Sequence, residues 1–271
     1  MEDSPYGCAE LVDVYDRVAV PLQFAPPAND LVTALHLREG ERVLDVGTGT
    51  GVAAAAAAAA VGPAGTVIGI DPSLLMLGRA WLRGTVCVVA ARAPDLPFRE
   101  SCFDAVMANF VLSHMKDPAA ALATMTQVLR CDGRLGVSSW GARASLASTL
   151  WSDIVALFTS ADDLKPAFER VIPGDAWFSD AANVQRAMRD AGLAGIEVLH
   201  REYPVTISVA DYLAMRQSSV EGMLVRRRLS SLEWEMFSRH LAERFRGRFG
   251  DSISYRRDVN ILVGTKRQHS C

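Results

Sequence analysis

At 271 residues the chain is long enough to bury about 75% of its unfolded surface, in one large α/β domain or two small ones. Half of it is apolar (50%) and 22% is charged, with 12 prolines and 20 glycines scattered, which excludes disordered, collagenous and low-complexity classes. Lys plus Arg (28) against Asp plus Glu (31) leaves a net charge of −3, which removes any strong global pull toward nucleic acid or an anionic membrane.

The five cysteines, Cys8, Cys87, Cys102, Cys131 and Cys271, are odd in number and widely spaced, with no C-x-x-C pair. They read as reduced thiols in a cytoplasmic protein, with neither a disulfide framework nor a metal site indicated. The acidic start, Met1-Glu2-Asp3-Ser4-Pro5, lacks the basic and apolar regions of a signal peptide, and the longest apolar run, Val52 to Val61, is too short to span a bilayer.

The first forty residues read as helical. Leu11, Val14, Tyr15 and Val18 recur at helical spacing, and a second segment, about 30–37, follows Pro26 and Pro27 and stops at Gly40. Arg42 to Val46 is a short apolar strand run, followed by the glycine turn Gly47 to Gly51 and an alanine helix over 52–61. Gly62-Pro63-Ala64-Gly65 ends that helix, and a second buried strand covers 66–71. The alternation continues with a helix near 73–83, strands at 85–89 and 103–109, a helix over 117–130, a turn at Asp132-Gly133 and a strand over 135–140.

Beyond this point the pattern loosens. A helix near 145–160 and a loop containing Phe168, Pro173, Trp177 and Phe178 precede a helix at 183–191 and a sixth strand over 196–206. Helices at 209–227 and 231–246 lead to a last strand near 259–263. Strands alternating with helices imply right-handed crossovers, so the expected architecture is an α/β, doubly wound, seven-stranded, mostly parallel sheet. It is read as one domain over 1–271, with cap helices in 1–40, a core in 41–141 and a substrate-side half in 142–271. The inserted helices of that half are expected to roof the sheet edge where open α/β sheets bind ligands.

Asp45-Val46-Gly47-Thr48-Gly49-Thr50-Gly51 sits between a strand and a helix, where glycines let the backbone turn sharply and approach a ligand. A dinucleotide fingerprint would need glycine where Val52 stands, and no Gly-Lys-Ser/Thr follows to make a phosphate loop. Asp71, twenty residues after Gly51, ends the second strand. Its carboxylate can accept both hydroxyls of a ribose, at about 1.5–3 kcal/mol each, or else complement the dipole of the helix that follows Pro72 and Ser73.

These residues resemble the class I S-adenosylmethionine-dependent methyltransferases, most closely the small-molecule type that includes ubiquinone and menaquinone biosynthesis. The resemblance rests on Val43 to Gly51, on Gly69-Ile70-Asp71-Pro72-Ser73 with Met76, on Asp95-Leu96-Pro97-Phe98 followed by Phe103-Asp104-Ala105-Val106, and on Leu129 to Leu135. It implies a Rossmann-like methyltransferase fold, S-adenosylmethionine as cofactor and S-adenosylhomocysteine as product. It also implies that Gly47, Thr48 and Gly49 face the methionine part, that Asp45 holds the turn, that Asp71 takes the ribose hydroxyls, and that Pro72 and Met76 flank the adenine. Arg92-Ala93 lies where the family has Asp-Ala. Arg92 cannot accept a hydrogen bond, so only the Ala93 backbone N–H contact to the adenine carries over.

Asn109 and Phe110 end the fourth strand, where the methyl group should emerge, or serve as strand-terminal turn residues. The sequence here, Asn109-Phe110-Val111-Leu112, lacks the prolines of the adenine and glutamine N-methyltransferases. His114 is the candidate general base, with an unperturbed pKa of about 6.5 that suits proton removal near neutrality, or it is a pocket wall. Tyr15, His114 and Trp140 are the candidate substrate contacts, and His200 reads as a plain strand residue. The arginines Arg226-Arg227-Arg228, Arg244, Arg246, Arg248 and Arg256-Arg257 make the C-terminal segment basic, either as a solvated helix face or as an anion contact. The expected activity is methylation of oxygen or carbon on a small, partly apolar metabolite, with nucleic acid disfavoured as a partner. The alternatives are methylation of RNA or protein, cofactor binding without catalysis, and a nicotinamide dehydrogenase.

Overall fold

The computed structural model describes residues 5–84 and 86–267. Met1 to Ser4, Thr85, where the third strand is expected to begin, and Cys271, expected as a thiol, lie outside the described residues. Contacts group the chain into two compact units. One comprises Phe24–Ala142, Gly174–Arg201 and the segment from Asp258; the other comprises the segment up to Gln23, Arg143–Pro173 and Glu202–Arg257.

In chain order the helices are α1 (Ala9–Val14), α2 (Ala25–Ala34), α3 (Val52–Val61), α4 (Leu74–Leu82), α5 (Pro118–Val128), α6 (Leu146–Phe158), α7 (Ala161–Val171), α8 (Asp175–Phe178), α9 (Ala181–Asp190), α10 (Val209–Gln217), α11 (Val220–Arg228) and α12 (Ser231–Phe249). The strands are β1 (Arg42–Val46), β2 (Thr66–Asp71), β3 (Cys87–Ala90), β4 (Phe103–Asn109), β5 (Leu129–Trp140), β6 (Leu193–Ser208) and β7 (Ser252–Lys266). They form a seven-stranded sheet in the order β3-β2-β1-β4-β5-β7-β6. The first five strands pair in parallel and β7 runs antiparallel to β5, which is the mostly parallel sheet expected from the sequence.

The sheet unit follows from residue alternation. Leu44, Val46, Val106, Ala108, Leu135 and Val137 share a face, and Leu122 and Met125 of α5 with Val184 and Met188 of α9 cover it. The intervening Val43, Ala105 and Met107 are fully buried on the opposite face. There Ala53, Ala54 and Ala57 turn the small side of α3 inward, and α2 lies close enough to β5 that a Cβ on Gly136 would stand 2.8 Å from Leu31. Burying one Leu or Met side chain here is worth about 1.5–3 kcal/mol. Because β1, β2, β4 and β5 are parallel, their C-terminal ends and the loops that follow gather along one edge.

The second unit packs around Trp151, Phe237 and Phe245, all fully buried. Trp151 donates its indole N–H to Glu221 (2.9 Å), and Arg216 both pairs with Glu221 (2.5 Å) and lies over the Trp151 ring. Tyr15–Phe24 forms a wide π-type helical stretch containing Pro21, and its buried Gln23 donates to the Tyr255 hydroxyl (3.0 Å) and the Met215 sulfur (2.8 Å).

Several expectations shift. The second N-terminal helix begins at Ala25, because Pro26 and Pro27 occupy its first turn, where a missing N–H costs nothing. The loop expected around Phe168 contains α7, capped by Ser160 and holding Pro166 within it, and the single turn α8. The long helix 209–227 breaks into α10 and α11, with Ser219 capping the second. Cys8, Cys87 and Cys102 are free thiols, whereas Cys131 is disulfide-bonded, a departure from the expected set of reduced thiols. Among the described residues no helix is long and apolar enough to cross a membrane.

Candidate active site

The turn after β1 needs its glycines. Gly47, Gly49 and Gly51 adopt φ of +70°, +55° and +85°, a region that a Cβ disfavours. The space beside Gly47 is taken by Val111, and that beside Gly51 by Ala80 of α4, whose Cβ would stand 2.9 Å from an added one. At these two positions the absent side chain therefore serves close packing within the fold. Thr48 spends its polar groups on the turn. Its N–H donates to the Ile70 carbonyl (2.9 Å), its hydroxyl to Asp45 (2.7 Å), and its carbonyl accepts from Gly51 (2.8 Å). Thr48 thus holds the loop through its N–H, hydroxyl and carbonyl.

Asp45 is fully buried beneath this loop, and its Oδ1 has no hydrogen-bond partner. Burial pushes its carboxyl up to about 7; the Thr48 hydroxyl opposes this, the nearby Asp71 charge adds to it, and the Ala54 amide offsets a little. Asp71 closes β2 one strand away. Its Oδ2 accepts from the Gly49 N–H (3.1 Å) and its Oδ1 from the Ser73 N–H (2.8 Å), so one carboxylate ties the glycine turn to the start of α4. Burial raises the Asp71 pKa, opposed by the two amides. Ser73 caps α4 by accepting from Met76 (3.3 Å). Further along this edge Pro72 and Arg92 are exposed, while Met76 and Ala93 are buried.

At the tip of β4, Asn109 accepts from Ser138 Oγ (2.5 Å), and that oxygen in turn accepts from the Phe110 N–H (3.2 Å). Phe110 takes φ of +57°, a conformation that costs a non-glycine residue about 1–3 kcal/mol. Its ring stacks on Trp140 at 3.8 Å, and Phe24 packs edge-on against both at 5.4 Å, which recovers part of that cost. Next to this stack lies a small pocket, bordered among others by Phe178, Ser113, Ser139 and Asp175. His114 ends the short 3-10 turn Leu112–His114 and is half-buried. Exclusion of water pulls its pKa down to about 4, so the ring is neutral at pH 7.

Residues 44–137 match a family model described as a methyltransferase domain. Over these residues the chain is similar to that family. Over 106 residues the chain is 42% identical to the ubiquinone/menaquinone biosynthesis C-methyltransferase of Pasteurella multocida (strain Pm70), covering 36% of this chain and 40% of that one. Over 134 residues it is 35% identical to the nocamycin O-methyltransferase of Saccharothrix syringae, covering 47% and 48%. The chain therefore spans less than half the length of these relatives. Two solved structures share its fold. The YcgJ protein of Bacillus subtilis has a TM-score of 0.55 at 21% identity, covering 90% of this chain and 99% of its own. The phosphoethanolamine N-methyltransferase 2 of Haemonchus contortus, bound to phosphomonomethylethanolamine and S-adenosylhomocysteine, has a TM-score of 0.55 at 17% identity, covering 90% and 53%.

The matched segment contains Asp45, Gly47, Thr48, Gly49, Asp71, Pro72, Met76, Arg92, Ala93, Asn109, Phe110 and His114, and Trp140 follows it within the same compact unit. Tyr15 belongs to the other unit, where its ring packs edge-on against Tyr6 at 6.3 Å. His200 bonds Asn260 through Nδ1 (2.7 Å), in keeping with a plain strand residue. The sequence reading passed over Ser113, Ser139, Asp175 and Phe178 at the pocket. One signal was available: Ser138-Ser139 interrupts an apolar strand just where it reaches the sheet's C-terminal edge.

Proposed function

We propose that the protein is an S-adenosylmethionine-dependent methyltransferase acting on oxygen or carbon of a small, partly apolar metabolite. The observation that carries this reading is the Asp71 carboxylate at the end of β2. Each of its oxygens accepts one backbone N–H, and a carboxylate offers about four lone-pair sites, so both oxygens keep capacity for the two hydroxyls of a ribose.

The other residues fit the cofactor in part. Asp45, with one oxygen lacking a partner, lies beneath a loop whose Gly47 and Gly49 expose backbone rather than side chain. Pro72, Met76 and the Ala93 N–H would border the adenine, whereas exposed Arg92 supplies no acceptor for its amino group. When bound, the cofactor supplies an electrophilic methyl group on a sulfonium.

What the chain's residues contribute is alignment, which can supply about 7–11 kcal/mol of a barrier. Phe110 and Trp140 form a flat aromatic wall at the tips of β4 and β5, suited to an apolar acceptor. His114, neutral at pH 7, offers a nitrogen lone pair. With its pKa near 4 it is a stronger hydrogen-bond acceptor for an acceptor hydroxyl than a final resting place for the proton. The C-methyltransferase and O-methyltransferase named above agree with this choice of acceptor atoms. Two arginines of the basic C-terminal segment are engaged within the fold: Arg226 bonds the Leu229 carbonyl and lies over Trp234, and Arg228 bonds the Leu224 and Asp163 carbonyls.

Calorimetry with S-adenosylmethionine and S-adenosylhomocysteine, followed by incubation of methyl-labelled cofactor with metabolite extracts, tests the reading. Saturable binding and a labelled small product are expected. Absence of binding by folded protein at millimolar cofactor would overturn it.

A further inference from the structure

Helix α4 is apolar on two sides. Met76, Leu77 and Ala80 are buried where the helix packs on β2 and β3, as an amphipathic helix requires. The opposite side does not turn polar. Leu74, Trp81 and Leu82 are 73%, 65% and 69% exposed and Leu75 is 40% exposed. This nine-residue helix therefore holds four of the nine large apolar side chains that lie exposed among the described residues.

With Gly78 between them, these four side chains stand at i, i+1, i+4, i+7 and i+8 spacing, which gathers them on one face. An added Cβ on Gly78 would meet nothing within 4 Å, so the middle of that face is open. Because β3 is the edge strand, the face sits at the border of the sheet. A contiguous exposed apolar patch of this kind marks a place of contact.

Charge selects what makes the contact. Between Asp71 and Asp95 the chain carries three arginines, Arg79, Arg83 and Arg92, and no acidic residue. Arg79 and Arg83, one turn apart, run along one border of the apolar face. Elsewhere the pattern differs: exposed Leu232 and Met236 of α12 stand beside exposed Glu233 and Glu235. The net charge of −3 gives no global attraction to an anionic surface, but this corner supplies a local one. A second copy fits it poorly. Nine residues make a helix about 14 Å long, too short to supply the roughly 800 Å² per partner of a stable dimer. Two such faces would also bring like charges together with no acid on either helix to pair them.

We infer that the exposed face of α4 docks the protein on an anionic lipid surface. Leu74, Leu75, Trp81 and Leu82 enter the boundary between headgroups and acyl chains, the level that tryptophan favours, while Arg79 and Arg83 meet the lipid phosphates.

The test is flotation of the full chain with vesicles of phosphatidylcholine containing about 30% phosphatidylglycerol, against phosphatidylcholine alone. Saturable binding to the anionic vesicles is expected, at least about tenfold weaker without phosphatidylglycerol and weakened by salt. Trp81→Ser combined with Leu82→Ser should reduce binding at least about tenfold with the melting temperature unchanged, since both side chains are exposed. Gly78→Glu should abolish binding and Gly78→Lys should keep it, a pair that differs in charge at a position with room for either side chain. Leu232→Ser, at a leucine 67% exposed on α12, should bind like the wild type. No vesicle binding, equal binding to both vesicle types, full binding by Gly78→Glu, or an equal loss in Leu232→Ser would overturn the docking face. Sedimentation without lipid tests the other occupant: a dimer that Gly78→Glu dissociates would assign the face to a second copy and overturn lipid docking.

Discussion

Asp45→Asn offers the sharpest check on the electrostatics beneath the glycine turn. The wild-type carboxyl rises from 3.8 to about 7 on folding, chiefly because it is cut off from water. Its folded pKa lies above its unfolded one, so between those values the folded state holds a proton that the unfolded state has released. Ionisation therefore opposes folding increasingly as pH rises, from nothing below about pH 4 to the full amount above about pH 7. Three pKa units at 1.36 kcal/mol each put that full amount at about 4 kcal/mol, and the portion falling between about pH 5 and pH 8 at about 3 kcal/mol.

Asparagine cannot ionise, and its carbonyl oxygen can still accept from the Thr48 hydroxyl. Its amide group, however, would face the side where Oδ1 now has no partner, which costs about 1–3 kcal/mol. The variant should therefore gain about 1–3 kcal/mol at about pH 8, lose a similar amount or change little at about pH 5, and lack the wild-type decline between them. Urea unfolding midpoints at the two pH values read this directly. A variant that keeps the wild-type slope, or that is hurt more at high pH than at low, would refute the account of Asp45 as a buried, water-deprived acid.

Asp71→Ala should weaken S-adenosylhomocysteine binding by about 1.5–3 kcal/mol, roughly ten- to 150-fold, in calorimetry; an unchanged dissociation constant would remove Asp71 from the ribose role. His114 titrates with the opposite sign. Its pKa falls from 6.5 to about 4 on folding, so stability should drop by about 3 kcal/mol as pH falls through that interval, and His114→Gln should flatten the slope in acid unfolding curves. Gly47→Ala should destabilise the fold through both the clash with Val111 and the positive φ, and adding Val111→Ala should return only the steric part, measured as a non-additive double-mutant cycle in melting temperature.

Strand positions were legible wherever a buried run met a turn signal. Phe103–Asn109 is found as read, and Arg42–Val46 and Thr66–Asp71 likewise, because parallel strands covered on both faces need continuous apolar residues. Less legible were segments whose order comes from tertiary contact. Pro166 hides α7 from a periodicity reading, and β7 begins at Ser252, several residues before its apolar stretch, through a polar portion that reads as loop. In the site, carboxylates at strand ends could be located from spacing. The inward turn of Thr48, the filling of Gly47's free space by Val111 and the low pKa of His114 could not, since each depends on which atoms surround a group rather than on its type.

The pairing of β5 with β7 bears on how the matched segment could be handled by itself. Arg134 to Trp140 is laddered to Thr265 through Val259, supplied by residues more than a hundred positions downstream. A fragment cut at the limits of residues 44–137 would strip that ladder away and leave a flat apolar strand with its amides and carbonyls bare on one side. Such a margin recruits other copies into intermolecular sheet. Excision of the recognisable third of the chain should therefore yield aggregates, and any graft of this domain onto another scaffold must carry the distant closing strand along with it.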